Sequence, residues 1–339
     1  MGVVRVLQNV FAESSAGVIA TFGDPLGRSG SWLAGADFTY QTSRLAGDKN
    51  FLVGVWGLVT DREDLDGDRV AAGIKIDYPN DLWDVSFTFR KLGNDFDPSL
   101  GFVPRNGYRY YRFGATYAPR PSASWVRQLT FRTFPEIYND LEGQWQSYSI
   151  RTIPLDVSLE SGDSFGFNFS PTGERLDEPF VIADGVIIPP GAYEWMRYSV
   201  NWEFAAKRKL NGRVRWEFGS FYEGTLNELG LAVSWTPSPI VTFQLELERN
   251  VGDIPWGSFD QTLVGTRVRL NISPDLQLNS FIQYDNITSS IGSNTRLRWN
   301  FRPEGDLFVI YNNNMNRLGD RWRREQDGLI VKLQYMFRR

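Results

Sequence analysis

The sequence predicts an all-β fold, a large antiparallel up-and-down transmembrane β-barrel. Three observations predict it: period-two alternation along the chain, connections that alternate between short and long, and aromatic residues gathered beside the short ones. Composition narrows the alternatives first. Of 339 residues 42% are hydrophobic and 15% aromatic, with Trp 12, Tyr 14 and Phe 24, yet the mean hydropathy is −0.33. Apolar runs such as Val181-Ile182-Ala183 and Val186-Ile187-Ile188 fall far short of the roughly 18 residues that a membrane helix needs. What remains is a soluble sheet protein or a closed sheet in lipid, and alternation conceals the hydrophobicity of the latter.

The alternation divides the chain into roughly 19 strands of about 9–13 residues, enough to cross a bilayer at a tilt. In Thr295–Arg302, Leu297, Trp299 and Phe301 share one face, whereas Arg296, Arg298, Asn300 and Arg302 share the other. Val241, Phe243, Leu245 and Leu247 alternate with Thr242, Gln244, Glu246 and Glu248 in the same way. One face suits lipid and the other suits water.

Short connections are expected at Tyr78–Asp81, Thr236–Pro239, Ser273–Asp275 and Arg302–Asp306, on the periplasmic side. Longer outer segments are expected at Asp61–Asp68, Asn94–Gly107, Pro171–Gly191, Val251–Asp260 and Asn312–Asp327. Tyr78, Trp83, Tyr117, Trp125, Trp235 and Phe301 flank short turns, as in a membrane-interface girdle; ordinary strand-end packing is the competing reading. The chain reads as one barrel domain over residues 1–339. Its first strand, Val3–Phe11, runs from the outside inward, so upstream strands are expected, and a complete barrel has about 20–22 strands because bacterial single-chain barrels are normally even-numbered. Met1–Val6 enters a strand-like pattern without a secretory leader, and the natural amino terminus is expected to lie upstream.

Two segments carry a resemblance. Asp97-Pro98-Ser99-Leu100-Gly101-Phe102-Val103-Pro104-Arg105 and the stretch from Arg298 through Asn312, RWNFRPEGDLFVIYN, resemble a bacterial outer-membrane barrel family of undefined function. In that family a carbohydrate-binding-like (family-nine type) β-sandwich domain precedes the barrel. The resemblance implies a periplasmic sandwich domain upstream and transfers no site residues. The end of the chain, Leu329–Arg339, is similar to the carboxyl-terminal strand by which outer-membrane proteins engage the barrel-assembly machinery. It places Leu329, Val331, Leu333, Tyr335 and Phe337 on one face, but Arg338 and Arg339 follow where an aromatic residue usually ends the chain.

Candidate chemistry is sparse. There is no Cys and no His, which removes thiolate sites, the usual partner of a catalytic serine and the commonest metal ligand; no enzyme and no cofactor is expected. A net charge of −4 without a basic patch gives no sign of nucleic acid. On the polar face Arg267, Arg269, Arg296, Arg298 and Arg302 form a charged wall with Glu246 and Glu248. It is either a track for anionic or polyhydroxylated solutes or a ladder of cross-strand pairs, with the ladder favoured. Asp61, Glu63, Asp64, Asp66 and Asp68 place hard oxygen ligands in one loop, but the spacing is not that of a calcium loop, so a solvated acidic loop is favoured and no metal is assigned. Pro171–Gly191 is long enough to fold inward as a constriction, to bind a partner, or to form an external flap. The expected function is an integral outer-membrane pore or transport pathway for polar solutes, oligosaccharides among them, with lipid and lipopolysaccharide as surroundings. The alternative is a plugged carrier or interaction platform for the periplasmic sandwich domain.

Overall fold

Alternating side chains can satisfy a two-faced sheet only if neighbouring strands keep register, and here they do over nearly the whole chain. The computed structural model describes residues 1–337; Arg338 and Arg339, expected to follow the terminal aromatic, lie outside the described residues. The strands at the amino end are β1 (Gly2–Val10), β2 (Ser14–Phe22), β3 (Trp32–Leu45), β4 (Lys49–Asp61), β5 (Val70–Pro79), β6 (Trp83–Leu92) and β7 (Tyr108–Tyr117). Then come β8 (Val126–Asp140), β9 (Trp145–Leu159), β10 (Ser164–Leu176), the short pair β11 (Phe180–Ala183) and β12 (Val186–Ile188), and β13 (Gly191–Phe204). The remainder is β14 (Leu210–Phe221), β15 (Gly224–Ser238), β16 (Val241–Ile254), β17 (Gly257–Ser273), β18 (Leu276–Asp285), β19 (Ser290–Arg302), β20 (Gly305–Leu318) and β21 (Arg321–Tyr335).

All but β11 and β12 belong to one 19-stranded sheet in which each strand pairs antiparallel with its sequence neighbours, β10 passing directly to β13. This is the expected up-and-down barrel wall. Among the described residues β1 pairs only with β2 and β21 only with β20, so these two strands are the edges of the sheet.

The two faces differ as the alternation requires. Val55, Ile76, Phe87, Phe113, Trp216, Leu229, Leu245 and Ile282 are all exposed on one face of successive strands. A soluble monomer rarely leaves so continuous an apolar surface in water. Rings crowd this face near the short-turn end: Trp83 lies 4.5 Å from Tyr117, Trp235 stacks on Phe243 at 5.5 Å, and Trp299 meets Phe301 at 6.0 Å between centroids. Phe165, Trp202 and Phe204 extend the belt.

The connections depart from expectation at both ends. Residues 23–31, 62–69, 93–107 and 177–190 form the long connections at one end, and 118–125, expected to be a short turn, is as long as 62–69 at the other; Val251–Asp260 and Asn312–Asp327 are not loops. There β16 and β17 run on to a turn at residues 255–256, and β20 and β21 to a turn at 319–320. The strands outrun the roughly 9–11 residues that lipid requires, and beyond it the apolar face becomes polar. Arg249 and Asp260, which share that face with Leu247 and Val264, pair at 2.7 Å. The loss of hydrophobic alternation therefore marks the end of the apolar zone and not the end of the strand.

Candidate functional site

The polar face presents most of the charged and amide side chains of the described sheet, and its chemistry changes around the wall. In the charged wall, register decides the partners. Arg267 lies opposite Gln244 and Phe281, and Arg269 opposite Thr242 and Asn279. Glu246 and Glu248 face Gly265 and Leu263 across the same ladder, so the expected Arg–Glu rungs do not form. Arg269 Nη2 instead donates to Gln244 Oε1 at 2.6 Å. The Arg267 guanidinium sits 4.8 Å from the centroid of Phe281, and that of Arg296 lies 4.9 Å from Phe308. These cation–π contacts hold the side chains while leaving their charge uncancelled. Arg298 Nε donates to Asp306 Oδ1 at 2.8 Å, and Asn300 Nδ2 donates to the same oxygen at 3.2 Å. The second resemblance segment thus folds as a clamp on the β19–β20 turn. Arg302 stands at that turn, opposite Gly305, and is exposed.

Glu246 and Glu248 border a different space. With Asp156, Glu203, Arg213 and Arg215 they line a groove of about 430 Å³ on the polar face of β9, β10 and β13 to β16. Its floor includes Gly166 and Gly230, whose missing side chains leave room for solvent.

The acidic loop is organised around a cation that its composition conceals. Arg62 is only 4% exposed. Its guanidinium donates to Asp64, to Asp97 Oδ2 at 2.7 Å, and to the Asp97 carbonyl and Ser99 Oγ at 3.2 Å each. Ser31 Oγ donates to Ser99 Oγ at 2.7 Å, so three connections meet here. Asp61 pairs with Arg69, and Asp68 with Lys91 at 2.7 Å. Asp61, Asp64 and Asp68 are each turned toward a different cation, and Glu63 and Asp66 do not join them in a ligand cluster among the described residues. The hydrogen bond from Arg62 holds the Asp64 carboxyl below the usual aspartate range despite partial desolvation. The first resemblance segment is this junction's other half: Asp97 and Ser99 receive Arg62, while Arg105 lies 5.4 Å from the centroid of Tyr138. Beneath it Phe96 and Val103 pack on Leu33, Ala71, Leu92, Tyr108 and Tyr110, all on the polar face of β3 to β7.

The segment Pro171–Gly191 is mostly strand. Between β10 and β13 it forms the β11–β12 hairpin, whose Val186 and fully buried Ile188 pack against Tyr193, Tyr222 and Ile254. Tyr193 shares its face with Arg197, and Ile254 with Glu246 and Glu248, so the hairpin folds onto the polar side. The Tyr222 hydroxyl donates to Glu174 beneath it. Arg197, also buried, donates to Glu228 Oε2 at 2.8 Å and to the Leu226 carbonyl at 2.6 Å.

Sequence reasoning missed both buried arginines. Arg62 was hidden by the acids around it, although a cation inside an acidic run is itself a signal of pairing. Arg197 could have been found from Glu217 and Glu228 only with the strand register in hand. No protein-family model matches the chain, and no curated protein sequence matches it. Among solved structures it is similar to an open-form crystal structure of the ferric-catecholate import receptor Fiu from E. coli K12, at 7% identity and a TM-score of 0.49, over 94% of this chain and 72% of that one.

Proposed function

We propose that the chain is the wall of an integral outer-membrane β-barrel that provides a pathway for polar solutes and acts without catalysis. One observation carries the reading: strand after strand exposes an apolar, aromatic-belted face while the opposite face holds arginines, carboxylates and amides. Such a sheet suits lipid outside and water inside, and a barrel of this strand number encloses a lumen unless something fills it. Lipid and lipopolysaccharide would meet the apolar face, and β21 would engage the barrel-assembly machinery. On the resemblance of its two segments, we further propose a periplasmic carbohydrate-binding-like sandwich domain as neighbour.

Reconstitution in planar bilayers tests the reading. Discrete conductance steps are expected; a silent, correctly folded protein would overturn the pathway. Arg267→Gln with Arg269→Gln should shift the reversal potential toward cation selectivity in a salt gradient, because neither charge is cancelled by a carboxylate. An unchanged potential with reduced stability would make these arginines architecture only. For orientation, a cysteine at Phe102, 88% exposed in the 93–107 connection, should label on intact cells, whereas one at Ile240 in the opposite turn should not. The reverse pattern would invert the topology.

The inward-folded β11–β12 hairpin favours a second reading, a partly plugged carrier whose mouth is narrowed by ordered segments. Deleting residues 179–189 would then raise conductance, whereas an already open pore would change little.

A further inference from the structure

The polar face has two chemistries. Over β3 to β8 it presents Trp56, Arg90, Tyr110, Arg112 and Glu136, with the 62–69 and 93–107 connections packed at its end. Over β18 to β21 it is a lattice of carboxamides and hydroxyls. Gln283, Asn294, Asn312, Asn314 and Gln326 converge with Ser290 on a cavity of about 490 Å³. The connections at that end are the turns 286–289 and 319–320, too short to fold over it.

Within the lattice Asn294 Nδ2 donates to Asn312 Oδ1, a bond that uses neither the Asn294 oxygen nor the Asn312 amide nitrogen. One row closer to the opposite end, Asn279 Oδ1 is buried without a hydrogen-bond partner among the described residues. A carboxamide offers both donors and an acceptor, as does a hydroxyl. A surface of amides can therefore bond a run of hydroxyl groups in either sense, while giving an ion little counter-charge. Asp285, at the rim, adds an acceptor for hydroxyls. Phe281 supplies an apolar edge at the other border. The volume lies in the range of small-ligand sites, about 300–1,000 Å³.

We propose that this cavity binds a neutral oligosaccharide and is the selective station of the pathway. The proposal rests on the pathway reading for its role, though not for the binding itself.

The test uses the full chain in planar bilayers, with maltotriose, cellotriose and raffinose as probes and a polyethylene glycol of similar mass as control. At least one sugar should interrupt the current with a saturable dependence that the polymer lacks. Asn294→Leu combined with Asn312→Leu should weaken that block about tenfold, the equivalent of one or two hydrogen bonds. Asn294→Gln, which keeps the amide, should retain most of the block, and heat-modifiable gel mobility would verify folding of each variant. Sugars and polymer acting alike on a conducting channel would overturn the proposal and leave the pathway standing. A protein that does not conduct would defeat the pathway, and calorimetric titration of the same sugars into detergent-solubilised protein then decides the site. Binding weakened by the double variant upholds it, and no binding by any of the three overturns it.

Discussion

Leu245→Arg is expected to destabilise the protein in bilayers by about 2–4 kcal/mol, while Glu246→Arg, one residue on, changes it by less than about 1 kcal/mol. Leu245 lies between Val233 and Thr266 on the exposed apolar face, near the middle of the part of β16 that lipid would cover. A guanidinium there must leave water or distort the bilayer. Glu246 lies between Ala232 and Gly265 on the polar face, where a long side chain finds space and solvent. Urea unfolding from phosphatidylcholine vesicles, followed by tryptophan fluorescence, measures both. Equal losses would show that the facing of β16 has been assigned wrongly. Trp299 is a weaker site for this comparison than its pattern suggests, because it stands close to the β19–β20 turn and within the ring belt. The penalty for charge falls toward the interface. Its neighbour Asn300 is no neutral control, since it bonds to Asp306 and the Gly305 carbonyl.

Arg62→Met should release the 93–107 connection. It removes the donor shared by Asp64, Asp97 and Ser99 and leaves those acceptors to water, at a cost of about 1–3 kcal/mol, moderated because the carboxylates are half exposed. Limited proteolysis should then cut within 93–107 far faster than in the native protein, with the sheet intact by circular dichroism. Acid should do the same to the native chain. Asp64 is lowered by Arg62; Asp24 is also lowered, because Arg28, Ser99 and the Leu26 amide together outweigh its desolvation. A depressed carboxyl contributes stability that is complete above its ordinary pKa and lost as pH falls through the lower folded value. Protease sensitivity should therefore rise from about pH 4 downward in the native protein and rise less in Arg62→Met, which keeps only the Asp24 contribution. A native loop equally resistant at pH 3 and pH 7 would remove the ion-pair junction from its holding role.

How much of this was readable beforehand depended on the range of the interaction. Alternation is local, so the two faces of Thr295–Arg302 and Val241–Glu248 were legible, as were the turns at 274–275 and 303–304. The length of a strand beyond lipid was not, because Arg249 and Asp260 obey no hydrophobic period. The charged wall was legible as a face but not as a set of pairs. A two-residue shift in the β16–β17 register separates a rung between Arg267 and Glu246 from the observed pairing of Arg267 with Gln244. The Arg62 junction joins segments more than thirty positions apart, and nothing in the local pattern measures such a distance.

The β11–β12 hairpin has a mechanical consequence. It grips Tyr222 in one turn and Ile254 and Gly257 around another, and a side chain at Gly257 would strike Val186 at 2.9 Å. Two hairpins already joined through the β15–β16 ladder are thereby strapped at their turns as well, into a single stiff arc from β13 to β17. From β18 to β21 no such hairpin folds over the rim among the described residues, and beyond the strand pairing only an edge-on contact of Tyr284 with Trp322 at 6.5 Å reaches across it. Deformation of the mouth should therefore be lopsided, the compliant segment breathing against the stiff one, with the widest excursions beside β20 and β21.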